Sequence, residues 1–413
     1  MADRIYFDHS ATTPLDHRVA VAMSLAEEVY GNPSSLHSEG RHARDLLERA
    51  RGQVAALIHA TPAEIVFTAS GTEADNLALL GVFRDRNVSA PGHMITSAIE
   101  HPAIMETCRF LERTGVSVTY LGVDANGIVD PEGLAKAMRP DTRLVSVMAA
   151  NNVVGTLQPI AELSRITKEH GALFHTDAVQ SAGKVLLDVS RVPVDMVSMS
   201  AHKLHGPKGV GALFVREDVR KGVRDKVQLH PVIFGGGQEH GLRSATENVA
   251  GIVGFGAAAQ LAATDMADEA VRLVQLREHL LAGLREELPQ TYLIGHPFKR
   301  LPGHLCLGFA GQEGEAIRLL LSLDDAGVAI SSGSACSAHK VSEPSYVLLA
   351  MGFDAIRARG TLRVTLGRFN TKAEVDRFLE ILPQAVNSLR PVASYAGLKA
   401  ANQGDLRCLK QHK

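Results

Sequence analysis

The sequence predicts an α/β protein with a mostly parallel sheet wrapped by helices, followed by a smaller α+β unit. Strand-like apolar runs alternate with helical patterns from about residue 60 to 216, which is typical of βαβ units. A long helical pattern over 247–288 then leads to the smaller unit. The chain has 413 residues, of which 45% are hydrophobic and 21% charged, so it is large enough for two globular domains.

The first strand–helix unit joins a hydroxyl-bearing turn to a helix start. A strand is predicted over 64–69 and a helix over 74–86, with Ser70-Gly71-Thr72-Glu73 between them. Backbone amides at a helix start, with a hydroxyl beside them, suit a phosphate group. This turn is therefore a candidate phosphate site.

Two further units place polar side chains at strand ends. His101 begins a predicted helix after the strand 94–99, where an imidazole could stack on a flat ring, although such a histidine is more often a cap or a packed residue. Asn151 and Asn152 end the strand 143–150. Open α/β sheets bind ligands at the carboxyl ends of their strands, so all three residues are candidate ligand contacts.

The next two units supply a carboxylate and a lysine. Asp177 ends the strand 172–177, and Lys203 follows the strand 195–200. A lysine amine condenses with the aldehyde of pyridoxal phosphate, and a carboxylate keeps the pyridine nitrogen of that cofactor protonated. Taken singly, Asp177 would be a helix cap and Lys203 a solvated loop residue. Together with the phosphate turn they predict a pyridoxal phosphate site.

Cys336 is the cysteine best placed for chemistry. A strand over 327–330 runs into the small residues that surround Cys336, and a helix follows over 346–351. Small residues allow a mobile loop, and a loop can move a thiol. Cys336 is therefore the candidate nucleophile.

The other three cysteines are predicted to have no role in catalysis. Cys108 lies in an apolar helical pattern and Cys306 in the strand 304–309, so both are predicted to be core residues, and Cys408 lies in the polar tail. The chain contains no CxxC pair, so a zinc or iron–sulfur site made by this chain alone is not expected.

Charge and hydropathy narrow the class of protein. A net charge of -2 gives no electrostatic reason to expect nucleic-acid binding. The cysteine usage and the first residues, which lack an apolar core behind a basic end, indicate a cytoplasmic protein. The apolar run over 249–263 is short for a membrane span, so a buried helix is predicted there.

An ordered set of short motifs runs through nearly the whole chain. The motifs are Tyr6-Phe7-Asp8-His9-Ser10-Ala11-Thr12-Thr13-Pro14, Gly31-Asn32-Pro33-Ser34-Ser35, Ile99-Glu100-His101, Thr176-Asp177-Ala178-Val179-Gln180, Ser200-Ala201-His202-Lys203, Gly235-Gly236-Gly237-Gln238-Glu239, Arg243-Ser244-Ala245-Thr246-Glu247-Asn248, Ser331-Ser332-Gly333-Ser334-Ala335-Cys336-Ser337 and Arg363-Val364-Thr365-Leu366-Gly367-Arg368-Phe369. This set resembles the NifS/IscS-type (group I) cysteine desulfurases, fold-type I pyridoxal phosphate enzymes of the class V aminotransferase superfamily. It is highly specific as a set, although each motif alone is weak. Related aminotransferases lack a cysteine in the last-but-one motif, so that motif separates sulfur chemistry from amino-group transfer.

The resemblance implies a two-domain homodimer. The large pyridoxal phosphate domain, over 16–255, would contain a mostly parallel seven-stranded sheet flanked by helices. Residues 1–15 and 256–413 would form a small α+β domain that carries the catalytic cysteine loop at about 331–345. The implied activity converts L-cysteine to L-alanine with a persulfide on Cys336. An acceptor protein, such as an iron–sulfur scaffold, would then take the sulfur for cluster assembly or thiolation.

The resemblance also implies roles for single residues. Cys336 would be the nucleophile, Lys203 the cofactor anchor and proton shuttle, and His101 the residue stacked on the cofactor ring. Asp177 would pair with the pyridine nitrogen and Gln180 with the phenolic oxygen. The remaining implied contacts are Gly71, Thr72, Ser200 and His202 with the phosphate, Thr246 of a neighbouring subunit also with the phosphate, Asn152 with both cofactor and substrate, and Arg363 and Asn32 with the substrate.

Two departures from the family pattern concern this site. Val153 stands where the family usually has a glutamate, and this change is expected to affect the turnover rate or the substrate preference. Ala245 stands where the family has a glycine, and this change is expected to alter the turn that presents Thr246. The alternative to a substrate-binding role for Arg363 is that its side chain forms a charge pair on the protein surface.

Three other functions are compatible with parts of the pattern. A selenocysteine lyase would use the same residues with another preference. A class V aminotransferase would keep Lys203 and Asp177 without needing Cys336. A non-catalytic sulfur-carrier scaffold would not need Lys203, Asp177 and His101 together.

Overall fold

The computed structural model describes residues 4–84, 92–222, 229–333 and 343–389. The helices in these ranges are α1 (His17–Glu27), α2 (Ser38–Leu57), α3 (Gly71–Phe83), α4 (Pro102–Arg113), α5 (Pro131–Ala137), α6 (Ile160–Glu169), α7 (Glu217–Arg220), α8 (Val249–Glu287), α9 (Ala316–Asp325), α10 (Tyr346–Ala350) and α11 (Lys372–Ser388). The strands are β1 (Ile5–Tyr6), β2 (Ile65–Thr68), β3 (His93–Ser97), β4 (Ser117–Leu121), β5 (Thr142–Ser146), β6 (Leu173–Asp177), β7 (Met196–Ser200), β8 (Gly211–Val215), β9 (Thr291–Ile294), β10 (His304–Phe309), β11 (Val328–Ala329), β12 (Ser331–Ser332) and β13 (Thr361–Thr365).

A seven-stranded sheet forms the centre of the larger part of the fold. Its strand order is β2-β8-β7-β6-β5-β3-β4, and only β8 runs antiparallel to its neighbours. Every residue of β2, β3, β6, β7 and β8 is buried, as expected for strands that helices cover on both faces. The predicted mostly parallel seven-stranded sheet is confirmed.

The smaller part of the fold is built on an antiparallel sheet with the order β12-β13-β10-β9, and β1 pairs with β11 in a two-stranded parallel sheet. Ile5 and Phe7 near the start of the chain belong to the apolar core of this part. The predicted domain ranges, 16–255 and 1–15 with 256–413, place their boundary inside helix α8. They stay a prediction.

Helix α8 contacts both parts. Its first half supplies Phe255 to the core of the large sheet, and its second half supplies Leu280 to the core of the smaller part. By length and composition α8 could cross a membrane, since its most apolar window has a mean hydropathy of 1.3. Core helices pass the same test, and α8 packs tightly here. A Cβ at Gly254 would lie 2.6 Å from Met23 Cγ of α1, and one at Gly256 would lie 2.7 Å from Ala50 Cα of α2.

The bounds of two elements differ from those predicted from the sequence. Helix α3 begins at Gly71, three residues before the predicted start, because the Ser70 side chain accepts a hydrogen bond from Glu73 N and caps the helix. Strand β5 ends at Ser146 rather than at residue 150. The N–H groups of Val147 and Ala149 still donate to carbonyls at the end of β6, so the chain continues extended towards Asn151.

Candidate active site

A cavity of about 330 Å³ lies at the carboxyl edge of the seven-stranded sheet. Strand β6 ends there at Asp177, β7 ends there at Ser200, and the turn after β2 reaches it with Ser70 and Gly71. This is the edge at which open α/β sheets bind ligands. Ten of the predicted site residues line it: Gly71, Thr72, His101, Asn152, Asp177, Gln180, Ser200, His202, Lys203 and Arg363.

Lys203 ends a short 3₁₀ turn that follows β7 directly. Its side chain is 9% exposed, and its Nζ donates to the carbonyl oxygens of Ser10 and Ala11 at 2.5 and 2.6 Å. The solvated-loop alternative for this lysine is therefore wrong. The N-terminal motif lies against the lysine rather than in a separate part of the molecule.

Asp177 is buried at the end of β6, with one carboxylate oxygen accepting from Val179 N at 2.8 Å. Burial raises the pKa of this carboxyl, and the hydrogen bond from Val179 N and the charge of Lys203 act in the opposite direction. The local bond to Val179 is the capping contact that the alternative interpretation predicted. This bond uses only the Oδ1 atom of Asp177, and Asp177 lines the cavity as well.

Asp75 is a cavity residue that sequence reasoning missed. It is 1% exposed on α3, and burial together with the nearby Asp177 carboxylate raises its pKa well above the usual value. The available signal was helical spacing. Asp75 follows Gly71 by four residues, so a helix that presents Gly71 to a ligand presents Asp75 on the same face.

His101 combines two roles that the sequence had left as alternatives. Its Nδ1 accepts from Ala103 N at 3.1 Å and caps α4, while the imidazole lines the cavity. Burial is the main cause that lowers the pKa of His101, with Asp177 opposing it. The imidazole of His101 is therefore neutral at neutral pH.

Glu100, next to His101 in the chain, accepts a hydrogen bond from Met148 N at 3.0 Å. This bond connects the end of β3 to the segment after β5.

The start of α3 forms the wall predicted to hold a phosphate. A Cβ at Gly71 would lie 2.6 Å from Val179 Cγ2, so only glycine leaves this wall open. The free N–H groups of a helix start attract anions. His202 Nδ1 lies 3.1 Å from Thr12 Oγ1, and burial lowers the pKa of His202 to about 4, so this histidine is neutral.

Gln180 bridges the cavity and the N-terminal motif. Its Nε2 donates to the Ser10 carbonyl at 2.9 Å, the same oxygen that accepts from Lys203. Its Oε1 is buried and has no hydrogen-bond partner among the residues that the structure describes. Buried polar atoms are normally satisfied, so an unmatched one beside a cavity suggests a polar ligand there.

Arg363 lies on β13 and is 3% exposed, so the surface-pair alternative is wrong. Its Nη2 contacts Asp8 Oδ1 at 2.8 Å and Ser331 Oγ at 3.0 Å, and its Nη1 donates to the Asn152 carbonyl at 3.2 Å. The guanidinium therefore connects the N-terminal motif, the cavity and strand β12, which precedes Cys336 in the sequence.

Two predicted residues that the structure describes, Asn32 and Thr246, do not line this cavity. Asn32 is exposed, and its side chain accepts from Ser34 N at 2.9 Å, which makes it a turn residue in this chain. Thr246 is also exposed, before α8. Cys336 lies outside the described residues, as does Cys408. Asn151 is buried, and its Oδ1 accepts from Val153 N and Val154 N.

The other two cysteines are core residues, as predicted. Cys108 and Cys306 are fully buried as free thiols. Burial raises the pKa of each to about 12, so both thiols stay protonated and inert at neutral pH.

The two departures have structural consequences. Val153 is 2% exposed in an apolar cluster with Ile99 and Leu348, so a packed methyl group occupies the place of the family's carboxylate. A Cβ at Gly333, which ends the described segment before Cys336, would lie 3.3 Å from Val153 Cγ1. Ala245 has φ 150°, in a region that glycine adopts more readily than alanine.

Comparison with known proteins gives a consistent result. The family model for class-V aminotransferases matches residues 5–378. Cysteine desulfurase IscS of Dictyoglomus turgidum is 45% identical over 396 residues, which cover 96% of this chain and 98% of that protein. Cysteine desulfurase IscS 1 of Archaeoglobus fulgidus is 46% identical over 389 residues, which cover 94% of this chain and 98% of that protein.

Solved structures agree in fold. A structure described as a NifS-like protein superimposes with a TM-score of 0.85 at 38% identity, over 94% of this chain and 100% of that chain. A structure described as SspA in complex with cysteine superimposes with a TM-score of 0.77 at 35% identity, over 89% of this chain and 100% of that chain.

Proposed function

We propose that this chain, which belongs to the class-V aminotransferase family and within it to the cysteine desulfurases, uses pyridoxal phosphate to convert L-cysteine to L-alanine and collects the sulfur on Cys336. One observation carries the site assignment. Ten residues that were selected from separate motifs, Lys203 and Asp177 among them, line a single cavity at the carboxyl edge of the sheet.

The cavity fits the cofactor. The start of α3, with Thr72, Ser200 and His202 beside it, would hold the phosphate, and His101 would cover the ring. Gln180, with its unmatched buried oxygen, would face the phenolic group, and Asp177 the pyridine nitrogen. Pyridoxal phosphate bound here supplies an electron sink for the α carbon of an amino acid.

Lys203 would anchor the cofactor and move the substrate's α proton. Its amine is held at the cavity wall by two backbone carbonyls, so few rotamers are open to it. Arg363 and the Asn152 side chain would orient the substrate carboxylate. Because Asp8 already holds Nη2 of Arg363, the guanidinium is fixed before any substrate arrives.

The last described residue before Cys336 is Gly333, three residues earlier in the chain. Three extended residues span at most about 11 Å. The strand before it is fixed to the cavity through the 3.0 Å contact between Ser331 Oγ and Arg363. Attack of the Cys336 thiolate on the sulfur of cysteine forms an S–S bond and breaks the Cβ–S bond. The carbon takes up a proton, so the products are L-alanine and Cys336–S–SH.

We also propose a homodimer, a cytoplasmic location and transfer of the persulfide sulfur to an acceptor protein such as an iron–sulfur scaffold. The exposed position of Thr246 supports the homodimer, since this side chain can reach a phosphate only in a second subunit if it has the role that the resemblance implies. Several relatives carry the IscS name, which supports the acceptor proposal.

Labelling tests the anchor. The purified protein should be yellow, and borohydride should fix the cofactor to the peptide that contains Lys203. Lys203→Ala should abolish this fixed linkage. Stoichiometric labelling of another lysine would show that the anchor is wrongly assigned.

Replacement of the cysteines tests the nucleophile. Cys336→Ser should keep the visible spectrum and its change with L-cysteine, yet lose alanine and sulfide production. The matched controls Cys108→Ser and Cys306→Ser should retain activity and lose at most some stability, because both thiols are buried and protonated. Added sulfur on Cys408, or undiminished alanine release from Cys336→Ser, would overturn the assignment.

A further inference from the structure

A buried histidine bridges three strands beside the candidate active site. His175 lies on β6 and is fully buried. Its Nδ1 lies 2.9 Å from Ser146 Oγ of β5, and its Nε2 lies 2.9 Å from Ser198 Oγ of β7. One imidazole therefore joins the side chains of β5, β6 and β7 near the carboxyl ends of these strands.

This bridge is adjacent to Asp177. Residues two apart on a strand point to the same face of the sheet, so His175 and Asp177 share a face. In the register of β6 with β7, Ser198 lies directly opposite Asp177. The bond from His175 to Ser198 therefore fixes the neighbouring strand beside Asp177. The hydrogen bond from Val179 N orients the Asp177 carboxylate but does not set the spacing of the strands.

Helix α3 covers the bridge. Asp75 Oδ1 lies 3.7 Å from His175 Nε2, and Asp75 also lines the cavity. Burial raises the pKa of Asp75 well above its usual value and lowers that of His175 to about 3, so the ring is neutral at neutral pH and this contact is not an ion pair. A neutral imidazole has one N–H donor and one acceptor nitrogen, and serine hydroxyls can match either tautomer. The bridge thus acts through hydrogen-bond geometry rather than through charge.

We propose that His175 is a positioning residue of the active site, whose hydrogen bonds to Ser146 and Ser198 fix the end of β6 and hold the Asp177 carboxylate towards the pyridine nitrogen of the cofactor. Groups of an active site must be held within about 0.5 Å of their productive geometry, and supporting hydrogen bonds provide this precision. The inference rests on the proposed role of Asp177.

The cofactor-loaded protein tests the proposal, through a pH titration of its visible absorbance and the dissociation constant of the cofactor. In His175→Asn the side chain is shorter, so its amide cannot reach both serines. The Asp177 carboxylate should then pair less well with a protonated pyridine nitrogen, and the less electron-poor ring should titrate at higher pH. We expect the pH midpoint of the visible band to rise by about one unit and cofactor binding to weaken about tenfold.

His93 provides a matched control at the opposite end of the same sheet. It is fully buried at the start of β3, with Nδ1 2.8 Å from Thr142 Oγ1 of β5 and Nε2 2.8 Å from Thr119 Oγ1 of β4. His93→Asn should lower the free energy of unfolding of the apoprotein about as much as His175→Asn does. It should nevertheless keep the wild-type pH midpoint and cofactor affinity.

The outcomes separate two failures. A wild-type midpoint and affinity in His175→Asn would overturn the inference, and so would equal changes in His93→Asn, since these would show a general effect of a weakened sheet. An unchanged midpoint in Asp177→Asn would instead overturn the proposed role of Asp177. Should His175→Asn fail to fold, by circular dichroism, Ser198→Ala removes only the bond beside Asp177 and should also raise the midpoint. No rise in that variant would overturn the inference.

Discussion

Ala245 adopts a backbone conformation that favours glycine. Its φ of 150° lies in a region that costs a residue with a Cβ about 1–3 kcal/mol. Ala245→Gly relieves this strain but adds freedom to the unfolded chain, so we expect a net gain of about 1 kcal/mol in the free energy of unfolding. Denaturant titration measures the change. Ala263→Gly, at an exposed position in the interior of α8, is the control and should lose about 1 kcal/mol. A less stable Ala245→Gly variant would contradict the strain argument.

Single residues also show which alternatives sequence reasoning could not separate. His101 was predicted to be either a cap or a ring contact, and it caps α4 while lining the cavity. Arg363 was a candidate for either a substrate contact or a surface pair, and the structure buries it against Asp8. Each choice depends on burial, which the local sequence of one strand or helix start does not determine.

At the scale of elements, a buried ion pair holds the glycine-rich motif in place. Arg51 on α2 forms two contacts of 2.7 Å with Glu239, and Glu239 also accepts from Phe67 N of β2 at 2.7 Å. The two side chains are only 5% and 2% exposed. Glu239 thus has a structural role, which the motif alone does not indicate.

Removing one partner of this pair should be costly. Glu239→Gln removes the buried counter-charge of Arg51 and leaves it only the exposed carboxylate of Glu48 at 3.1 Å, so we expect a loss of about 3 kcal/mol in the free energy of unfolding. Glu132→Gln breaks an exposed pair with Lys136 and should cost less than about 1 kcal/mol. Urea unfolding of both variants gives the comparison. Similar losses in the two would show that burial does not strengthen the Arg51 pair.

For the whole molecule, buried histidines should make stability depend on pH. Among the histidines whose pKa burial lowers, His9 and His175 reach about 3, His202 and His205 reach about 4, and the pKa of His304 lies well below its usual value. Each takes up a proton in the unfolded chain near its usual pKa of about 6.5 but not in the folded chain. The unfolded state then binds more protons, so stability is lost as the pH falls below about 6.5.

Three buried carboxyls act in the opposite direction. The pKa of Glu100 is raised to about 8 and those of Asp75 and Asp177 are raised as well, so acid favours their folded forms. The histidines are more numerous, and each net proton changes the free energy of unfolding by about 1.4 kcal/mol per pH unit. We therefore expect the urea midpoint of the apoprotein to fall between about pH 6.5 and 5. A constant or rising midpoint would contradict this balance.

The proposed homodimer is also tested on the whole molecule. If Thr246 completes the phosphate site of a second subunit, activity requires a homodimer, and sedimentation at assay concentration should show one. Thr246→Ala should weaken cofactor binding without dissociating the dimer. A fully active monomer would exclude this role for Thr246.

The sequence by itself determined the α/β class, the strands that end at the candidate site and the residues proposed to carry the chemistry, because apolar periodicity and motif residues are local properties. Only the tertiary structure placed the Ser10 and Ala11 carbonyls on Lys203 and Asp8 on Arg363. Those contacts join segments more than a hundred residues apart or depend on burial from several elements. No pattern within one segment encodes them, since they arise only when β1, the seven-stranded sheet and β13 pack together.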